Sequence, residues 1–218
     1  MVKIRYFRIR LPDGIGLLGL AELAQKGTLP ISVMRSSENE LVVTFTTTRE
    51  LRTVQYMPDG SSVPGIVTTM DQYSVRLFRS GTLYFLSLLD PPRSGRIVTD
   101  LLDGLLLNQK YFIEPLEFGR PFIERHVAVF DSVRLVSAKV RDFQIYEKTI
   151  ARLEITSKEG IPDEIAPFLS GKFHRIDSMT YEVNHQFKKG LINYSTNGTV
   201  RISAPLVEIG FQSFELQL

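Results

Sequence analysis

The amino-acid sequence predicts an α+β fold, built mostly of antiparallel sheet with a few short helices. Three observations lead to this prediction. Segments of alternating apolar and polar residues recur along the 218-residue chain, and turn residues bound them. Two segments, residues 74–87 (SVRLFRSGTLYFLS) and 192–203 (INYSTNGTVRIS), place such residues on both sides of a short polar tip, as β-hairpins do. Only a few short stretches show the periodicity of a helix.

The chain begins with a predicted strand and a predicted helix. Residues 2–10 (VKIRYFRIR) alternate, but their apolar phase slips by one residue near Tyr6, as a β-bulge would cause. Residues 14–27 (GIGLLGLAELAQKG) have helical character and end at Gly27, and glycine commonly terminates helices. Residues 29–45 then predict two strands around a turn of Ser, Glu and Asn.

The middle of the chain combines a loop, a hairpin and a helix. Residues 48–71 contain Pro58-Asp59-Gly60 and Pro64-Gly65 without sustained periodicity, so we expect a long mobile loop. A hairpin with its tip at Ser80-Gly81 follows. Residues 93–107 (RSGRIVTDLLDGLLL) place apolar side chains four positions apart, which predicts a helix with one buried face.

The second half of the chain begins with long strands. Residues 133–147 and residues 149–156 each alternate, and each segment predicts a strand. Residues 161–171 (IPDEIAPFLSG) predict a short helix, because proline suits its first turn and glycine its end. Residues 172–183 predict a strand, a turn and a second strand, and Asn197-Gly198 predicts the last hairpin.

The two halves share an order of elements: a strand, a helix and then four strands. We therefore expect two β-rich lobes, residues 1–118 and residues 119–218, as pseudo-repeated units of a curved sheet. One continuous domain is the open alternative, because residue identity between the halves is negligible outside the hairpin tips. Either arrangement fits the length, since 218 residues can bury a sizeable core.

Composition and charge limit the kinds of partner. The 26 basic and 24 acidic residues give a formal net charge of +2, so no global field draws the chain to nucleic acid or anionic lipid. There is no cysteine, which excludes disulfides, thiolate metal sites and cysteine nucleophiles. The longest apolar runs, residues 15–21 and 83–89, are far shorter than the roughly 20 residues that span a bilayer. We expect a cytoplasmic protein without a membrane segment.

A G-x-G-x-x-G pattern, Gly14, Gly16 and Gly19, lies between the first strand and the first helix. In dinucleotide-binding folds such glycines bring a pyrophosphate close to a helix N-terminus. Here the preceding strand carries Lys and Arg, unlike a buried parallel strand, and Pro12-Asp13 interrupts the connection. We therefore interpret the glycines as a helix entry that packs tightly on a sheet, and we expect no cofactor.

Residues suited to metal or acid–base chemistry are sparse. His126, His174 and His185 show no metal-binding spacing, although the last two could lie near each other and near Asp177 on adjacent strands. No acid and lysine have the spacing of a nuclease site, and no serine lies in a G-x-S-x-G elbow. We predict no catalytic and no metal site, and a small enzyme with an unrecognised site is the second alternative function.

Basic residues interleaved with aromatic residues give the clearest binding signal. They lie on the first strand and around the two hairpins, where guanidinium groups could neutralise phosphates and exposed rings could stack on bases. The opposing interpretation is that the rings belong to the core and the charges protect strand edges. The candidate nucleic-acid-binding residues are Lys3, Arg5, Arg8, Arg10, Arg76, Arg79, Lys188, Lys189 and Arg201.

Two further features favour a protein partner. The predicted loop at residues 48–71 is long enough to serve as a binding segment. Residues 205–218 (PLVEIGFQSFELQL) are apolar to the end and require burial in the fold or against a partner. We therefore expect a non-catalytic binding or assembly subunit of a complex, engaging a protein partner or a second copy of the chain. Nucleic-acid binding by a basic and aromatic sheet face is the alternative.

Overall fold

The structure is a computed structural model that describes residues 1–27, 30–92, 95–107, 109–146, 149–161 and 175–218. The predicted α+β class is confirmed: the described residues form antiparallel strands and four short α-helices. The chain divides into two compact units. The first unit comprises Ile9–Phe112, and the second comprises Met1–Arg8 together with Ile113–Leu218. The expected lobes at 1–118 and 119–218, their duplication and the curvature of the sheet stay predictions.

The first unit combines an antiparallel sheet with two helices. After the end of β1 (Val2–Arg10), its elements are α1 (Leu17–Lys26), β2 (Ile31–Ser36), β3 (Glu40–Tyr56), β4 (Ser62–Ser80), β5 (Leu83–Leu89) and α2 (Arg96–Leu106). β2, β3, β4 and β5 pair in that order, each antiparallel to the next. Both helices predicted in this region, the strands within residues 29–45 and the hairpin at Ser80-Gly81 are confirmed.

The core of the first unit lies between its sheet and its helices. Leu41, Val43 and Phe45 alternate along β3 and are buried, as a strand with one covered face requires. Each helix buries one apolar face: Leu17, Leu20, Ala21 and Ala24 from α1, and Val98, Leu101, Leu102, Leu105 and Leu106 from α2. Within the described ranges, no helix has both the length and the apolar character needed to cross a bilayer.

The predicted mobile loop at residues 48–71 is wrong, because these residues form the outer part of a long β-hairpin. β3 and β4 pair without interruption from Glu40 opposite Phe78 to Tyr56 opposite Ser62. The Thr and Val residues that surround the prolines and glycines are those that strands favour. Proline and glycine therefore interrupt the alternation of apolar and polar residues in the sequence, but they do not interrupt the hydrogen-bonded pairing of β3 with β4.

The tip of this hairpin is an ordered turn. The backbone amide and the hydroxyl of Ser61 both donate to a carboxylate oxygen of Asp59, at 2.9 and 2.6 Å. Gly60 has a φ of +84°, which glycine adopts without steric cost. Pro58-Asp59-Gly60 is thus the turn signal of a hairpin, where we had expected a loop.

β1 changes its buried side along its length, which accounts for the phase slip in the sequence. Tyr6 is buried in the second unit, where its ring centre lies 4.6 Å from that of Phe214. Phe7 and Ile9, on the other side of the strand, are also buried, whereas Arg8 between them is exposed. The slip falls where the chain passes from the second unit to the first.

The second unit also combines an antiparallel sheet with helices. After the start of β1, its elements are β6 (Phe112–Pro115), α3 (Arg120–Val127), β7 (Ser132–Tyr146), β8 (Thr149–Thr156), β9 (Arg175–His185), β10 (Lys188–Ser195), β11 (Thr199–Ile202), a 3₁₀ turn (Ala204–Leu206) and α4 (Val207–Glu215). The strands pair antiparallel in the order β1, β11, β10, β9, β7, β8. β6 pairs with β1.

Predictions for the second unit are partly confirmed. The strands expected at residues 133–147 and 149–156 correspond to β7 and β8. The helix expected at 161–171 lies outside the described residues, except for its first residue. β9 is one continuous strand, so the turn expected within residues 172–183 is wrong. In its place, the pairing of β7 with β9 shifts register after Lys139, and such an irregularity interrupts an apolar pattern as a turn does.

The apolar C-terminus forms α4, a helix that the sequence had not indicated to us. Phe214 is fully buried, and its ring packs against those of Phe118 and Phe122 with centroid distances of 5.2 and 5.0 Å. Leu216 is 88% exposed. Burial in the fold is therefore confirmed for the helix face that meets the aromatic core, whereas Leu216, beyond the helix, is not buried in the fold.

The turn between β9 and β10 is built from residues that do not favour its geometry. Gln186 and Phe187 connect His185 and Lys188, which pair directly, and their φ values are +49° and +65°. Two-residue hairpin turns with positive φ favour Asn and Gly, and a bulky side chain there costs about 1 kcal/mol. The Phe187 side chain is fully exposed, so packing does not offset this cost.

We expect Phe187→Gly to stabilise the protein by about 1 kcal/mol, because it relieves the left-handed strain without removing a buried side chain. Urea unfolding monitored by circular dichroism measures the change. Gly198→Ala, at the tip of the next hairpin, is the matched control and should destabilise by more than about 2 kcal/mol. Its Cβ would lie 2.5 Å from the carbonyl oxygen of Tyr6, and its φ is +78°. A less stable Phe187→Gly protein would contradict the strain argument.

Candidate binding surfaces

The outer part of the β3–β4 hairpin forms a two-stranded arm, which we define as residues 48–70. β2 pairs with β3 over residues 41–45, and β5 pairs with β4 over residues 75–80. Beyond those positions the described strands of the arm pair only with each other, over about 30 Å at roughly 3.3 Å per residue. The arm therefore leaves both of its faces and both of its edges open to solvent.

One face of the arm is strongly apolar. Directly opposite residues on antiparallel strands point to the same side, so the side away from the buried Leu41, Val43 and Phe45 carries the even-numbered residues of both strands. We call this side the outer face. Its large apolar side chains are exposed: Val54 by 56%, Tyr56 by 79%, Ile66 by 66% and Met70 by 76%, with exposed Pro64 opposite Val54.

Two opposite charges lie side by side within the outer face. Glu50 is opposite Thr68, and Arg52, the next residue on the same side of β3, is opposite Ile66. Both charged side chains are exposed. Single exposed apolar residues are ordinary on protein surfaces, but a row of them on a ribbon without further support indicates a contact surface.

A second candidate surface lies on the sheet of the second unit. Ile192, Tyr194, Val200 and Ile202 point to the buried side of that sheet, so the residues between them point to the other side. The strand register sets two rows of polar and basic residues across this open side. One row holds Lys3, Arg201, Asn193 and Thr180, and the other holds Arg5, Thr199, Ser195, Ser178 and Lys139.

A groove with a volume of about 400 Å³ lies on this open side. Its basic lining residues are Lys139, Arg141 and Arg201, and the rest of its lining consists of Asp177 and of Ser, Thr and Asn side chains. Lys139 Nζ lies 3.1 Å from Glu154, and Arg141 Nη1 lies 3.9 Å from Asp177. As far as the structure describes it, the groove carries no aromatic ring, so it is suited to a phosphate group and not to base stacking.

Three of the predicted basic residues converge on this side of the sheet. Lys3 and Arg201 are direct partners in the register, and Arg201 lines the groove. Arg5 Nε donates to the carbonyl oxygen of Asn197 at 3.1 Å, and its guanidinium carbon lies 5.0 Å from the ring centre of Phe7. The first strand and the last hairpin are thus brought together, as nucleic-acid binding by this face would require.

The remaining basic candidates of the second unit lie away from the groove. Arg8 Nη2 lies 2.5 Å from a carboxylate oxygen of Glu114. Lys189 Nζ lies 3.1 Å from Glu182, and its hydrogen bond is the main cause that lowers the pKa of that carboxyl. Lys188 is exposed at the start of β10.

The other three basic candidates belong to the first unit. Arg10 is exposed, and Arg79 Nε donates to the carbonyl oxygen of Gly81 at 2.8 Å. Arg76 Nε donates to Glu40 at 2.6 Å. Burial would raise the pKa of Glu40, but hydrogen bonds and charge from Arg76 and Arg35 outweigh burial and lower the pKa. The Arg76 guanidinium therefore forms an ion pair within the sheet, and a ligand would have to compete with Glu40 for it.

The glycine pattern and the proposed histidine cluster show no site geometry. A Cβ at Gly14 or Gly16 would meet no atom within 4 Å, so the expected tight packing is wrong, and Gly14 is required by its φ of +81°. His174 lies outside the described residues. His185 and Asp177 lie on one strand, eight positions and about 26 Å apart, so these two residues do not form a site together. Among the described residues, no group of three or more acids and histidines could hold a metal ion.

The third histidine, His126, is completely buried at the centre of a hydrogen-bond network. Its Nε2 lies 2.9 Å from the carbonyl oxygen of Gly210 and 3.0 Å from the Ser213 hydroxyl, and its Nδ1 contacts the Tyr194 hydroxyl. Since a carbonyl oxygen only accepts, Nε2 carries the proton and Nδ1 accepts from Tyr194. The network ties α3 to β10 and α4.

Burial sets the titration of this network. It lowers the pKa of His126 from 6.5 to about 4, and the hydrogen bond to Gly210 opposes this shift only weakly. Burial also raises the pKa of Tyr194 well above its ordinary value. Both groups are neutral at physiological pH and are closed off from solvent, so the network supports the fold.

Sequence reasoning identified Arg201, but it missed the outer-face residues of the arm and the groove residues Lys139 and Arg141. The outer-face residues alternate at positions 50, 52, 54 and 56, a strand period that the Pro and Gly residues nearby obscured. Lys139 and Arg141 also alternate, on a strand that we had predicted. The sequence predicted their strand and several of the strands near it, but not the order in which these strands pair, and so not the groove.

Comparisons with known proteins add no relative. No protein-family model matches the chain, and no curated protein matches it in sequence. The candidate surfaces therefore rest on geometry and chemistry alone.

The His126 network predicts a dependence of stability on pH. The folded pKa of about 4 lies below the unfolded value of 6.5, so the unfolded chain binds more protons between these values. Stability is full above about pH 6.5 and is lost as pH falls toward 4, by about 2 kcal/mol between pH 7.5 and pH 5. Urea unfolding at both pH values measures this loss.

Two variants distinguish the stability change caused by protonation of His126 from changes caused by other titratable groups. His126→Gln should be less stable at pH 7.5 and should lose most of the pH dependence, whereas His185→Gln, on the strand edge, should keep it. An unchanged pH dependence in His126→Gln would show that another group causes the loss.

Proposed function

We propose that the chain is a non-catalytic binding or assembly subunit, and that the arm is its contact element for a protein partner or a second copy. The observation that carries the proposal is the exposed apolar outer face, on a ribbon that no other described strand supports. A two-stranded hairpin alone is marginally stable in water, so contact with a partner would both stabilise the arm and cover its apolar side chains. The lack of cysteine is compatible with a reducing cytoplasm.

Shortening the arm tests this function. Thr47 pairs directly with Asp71, so residues 48–70 can be replaced by Asn-Gly, which closes a tight hairpin at that point. Because the removed residues are largely exposed, we expect the shortened protein to keep its fold and its thermal unfolding midpoint. We expect the full-length protein to purify as a complex, with a copy or a stoichiometric second polypeptide, and the shortened protein to purify as a monomer.

Light scattering after size-exclusion chromatography gives the mass of both proteins. A full-length protein that stays a monomer up to about 200 µM, without a retained polypeptide, would contradict the proposal. So would a shortened protein that forms the same complex as the full-length chain. Ile66→Asp and Val67→Asp provide a matched pair, since these neighbours point to opposite faces of the arm and only the first lies on the outer face.

The groove supports a second candidate function, contact with the phosphate backbone of a nucleic acid. Lys139, Arg141 and Arg201 line it, and Lys3 and Arg5 flank it in the strand register. Contacts of this kind neutralise phosphates, depend strongly on salt and do not read sequence.

Fluorescence anisotropy with a labelled single strand and a labelled duplex tests this candidate. We expect Arg201→Glu to weaken binding several-fold at low salt, and to reduce the slope of log affinity against log salt by about 1. Arg79→Glu, in the other unit, is the charge-matched control and should bind as the wild type does. Absence of binding at low salt, or equal losses in both variants, would exclude the groove as the site.

A further inference from the structure

The arrangement of charges on the outer face identifies an occupant for it. Along β3 the outward residues are Thr48, Glu50, Arg52 and Val54, and their partners on β4 are Met70, Thr68, Ile66 and Pro64. The acid and the arginine occupy the two central positions, and uncharged residues flank them on each side. If the row is turned end to end, Glu50 falls on the position of Arg52 and Arg52 on that of Glu50. Each uncharged residue then falls on the position of another uncharged residue.

We propose that the arm docks on the arm of a second copy of this chain, outer face against outer face, an inference that rests on the assembly function proposed above. The two-fold axis lies in the interface, crosses the strands, and passes midway between the positions of Glu50 and Arg52. In an isologous interface of this kind, each contact between one residue of the first copy and another residue of the second copy occurs again with the copies exchanged. Glu50 of each copy then meets Arg52 of the other, so the dimer contains this ion pair twice.

The same axis also matches the apolar residues. Met70 of one copy packs on Pro64 of the other, and the Ile66 side chains of both copies lie next to each other beside the axis. Thr48 packs on Val54. The alternative two-fold axis, parallel to the strands, would put Arg52 against Ile66 and Glu50 against Thr68. Each charge would then lose contact with water without gaining an opposite charge on the other copy, which is costly. Charge complementarity therefore favours a second copy as the occupant of the outer face, and it favours the axis that crosses the strands over the axis parallel to them.

The contact is small. A two-stranded ribbon of about 30 Å gives an interface of roughly 1,000 Å² in total, at the small end of specific contacts, where weak and transient complexes are found. We therefore expect a dissociation constant on the order of micromolar. The association should weaken with salt, because the ion pairs remain close to solvent. Sedimentation velocity from about 1 to about 200 µM covers this range.

A charge-exchange experiment tests the proposal. Glu50→Arg alone brings two arginine pairs together, and Arg52→Glu alone brings two glutamate pairs together, so each variant should dimerise at least about tenfold more weakly than the wild type. An equimolar mixture of the two variants should form a heterodimer. In that dimer, each contact between position 50 of one copy and position 52 of the other again joins a glutamate to an arginine. The double variant Glu50→Arg/Arg52→Glu should recover the wild-type homodimer.

The controls separate this inference from the proposed function. Val67→Asp, on the opposite face of the arm, should dimerise as the wild type does. A wild-type protein that stays monomeric, or a mixture no more associated than either single variant, would overturn the face-to-face dimer. If the full-length chain still retains a different polypeptide that the shortened chain loses, the assembly function stands and only the identity of the partner is wrong. If shortening the arm changes nothing, the assembly function falls as well.

Discussion

The paired strands β3 and β4 extend beyond the neighbouring strands β2 and β5, and the candidate contact surface of the first unit results from this difference in length. The backbone groups that face the partner strand are paired within the ribbon, and those along its two edges are open to water, so the arm can extend without buried unpaired amides. Its side chains have no such solution, because the pairing of the neighbouring strands β2 and β5 ends near its base. Apolar residues that a wider sheet could bury are left exposed.

The second unit uses its sheet differently. One side is sealed by aromatic rings and by the His126 network, and the groups with strongly shifted pKa values are located there, without access to solvent. The other side is polar and shallow, and two of its basic residues form ion pairs, Lys139 with Glu154 and Arg141 with Asp177. The groups with unusual acidity and the accessible surface therefore lie on opposite sides of one sheet.

Particular residues show why sequence reasoning succeeded or failed. Gly81 and Gly198 mark hairpin tips because a positive φ restricts the choice of residue, and a local requirement of this kind is visible in the sequence. Pro64 misled us, since proline usually breaks strands; it is tolerated here in a ribbon whose edges are open. Gln186 and Phe187 gave no signal at all, because the turn that they form opposes their own preferences.

The sequence by itself determined the α+β class, most strands of the described chain and the hairpin tips, because periodicity and turn chemistry are local properties of the chain. Tertiary structure alone decided which strands became neighbours, and so placed Arg201 beside Lys3 while Arg76 was committed to Glu40. It also decided where β2 and β5 stop, which left residues 48–70 uncovered. Pairing between distant segments depends on the whole chain, and no local pattern encodes it.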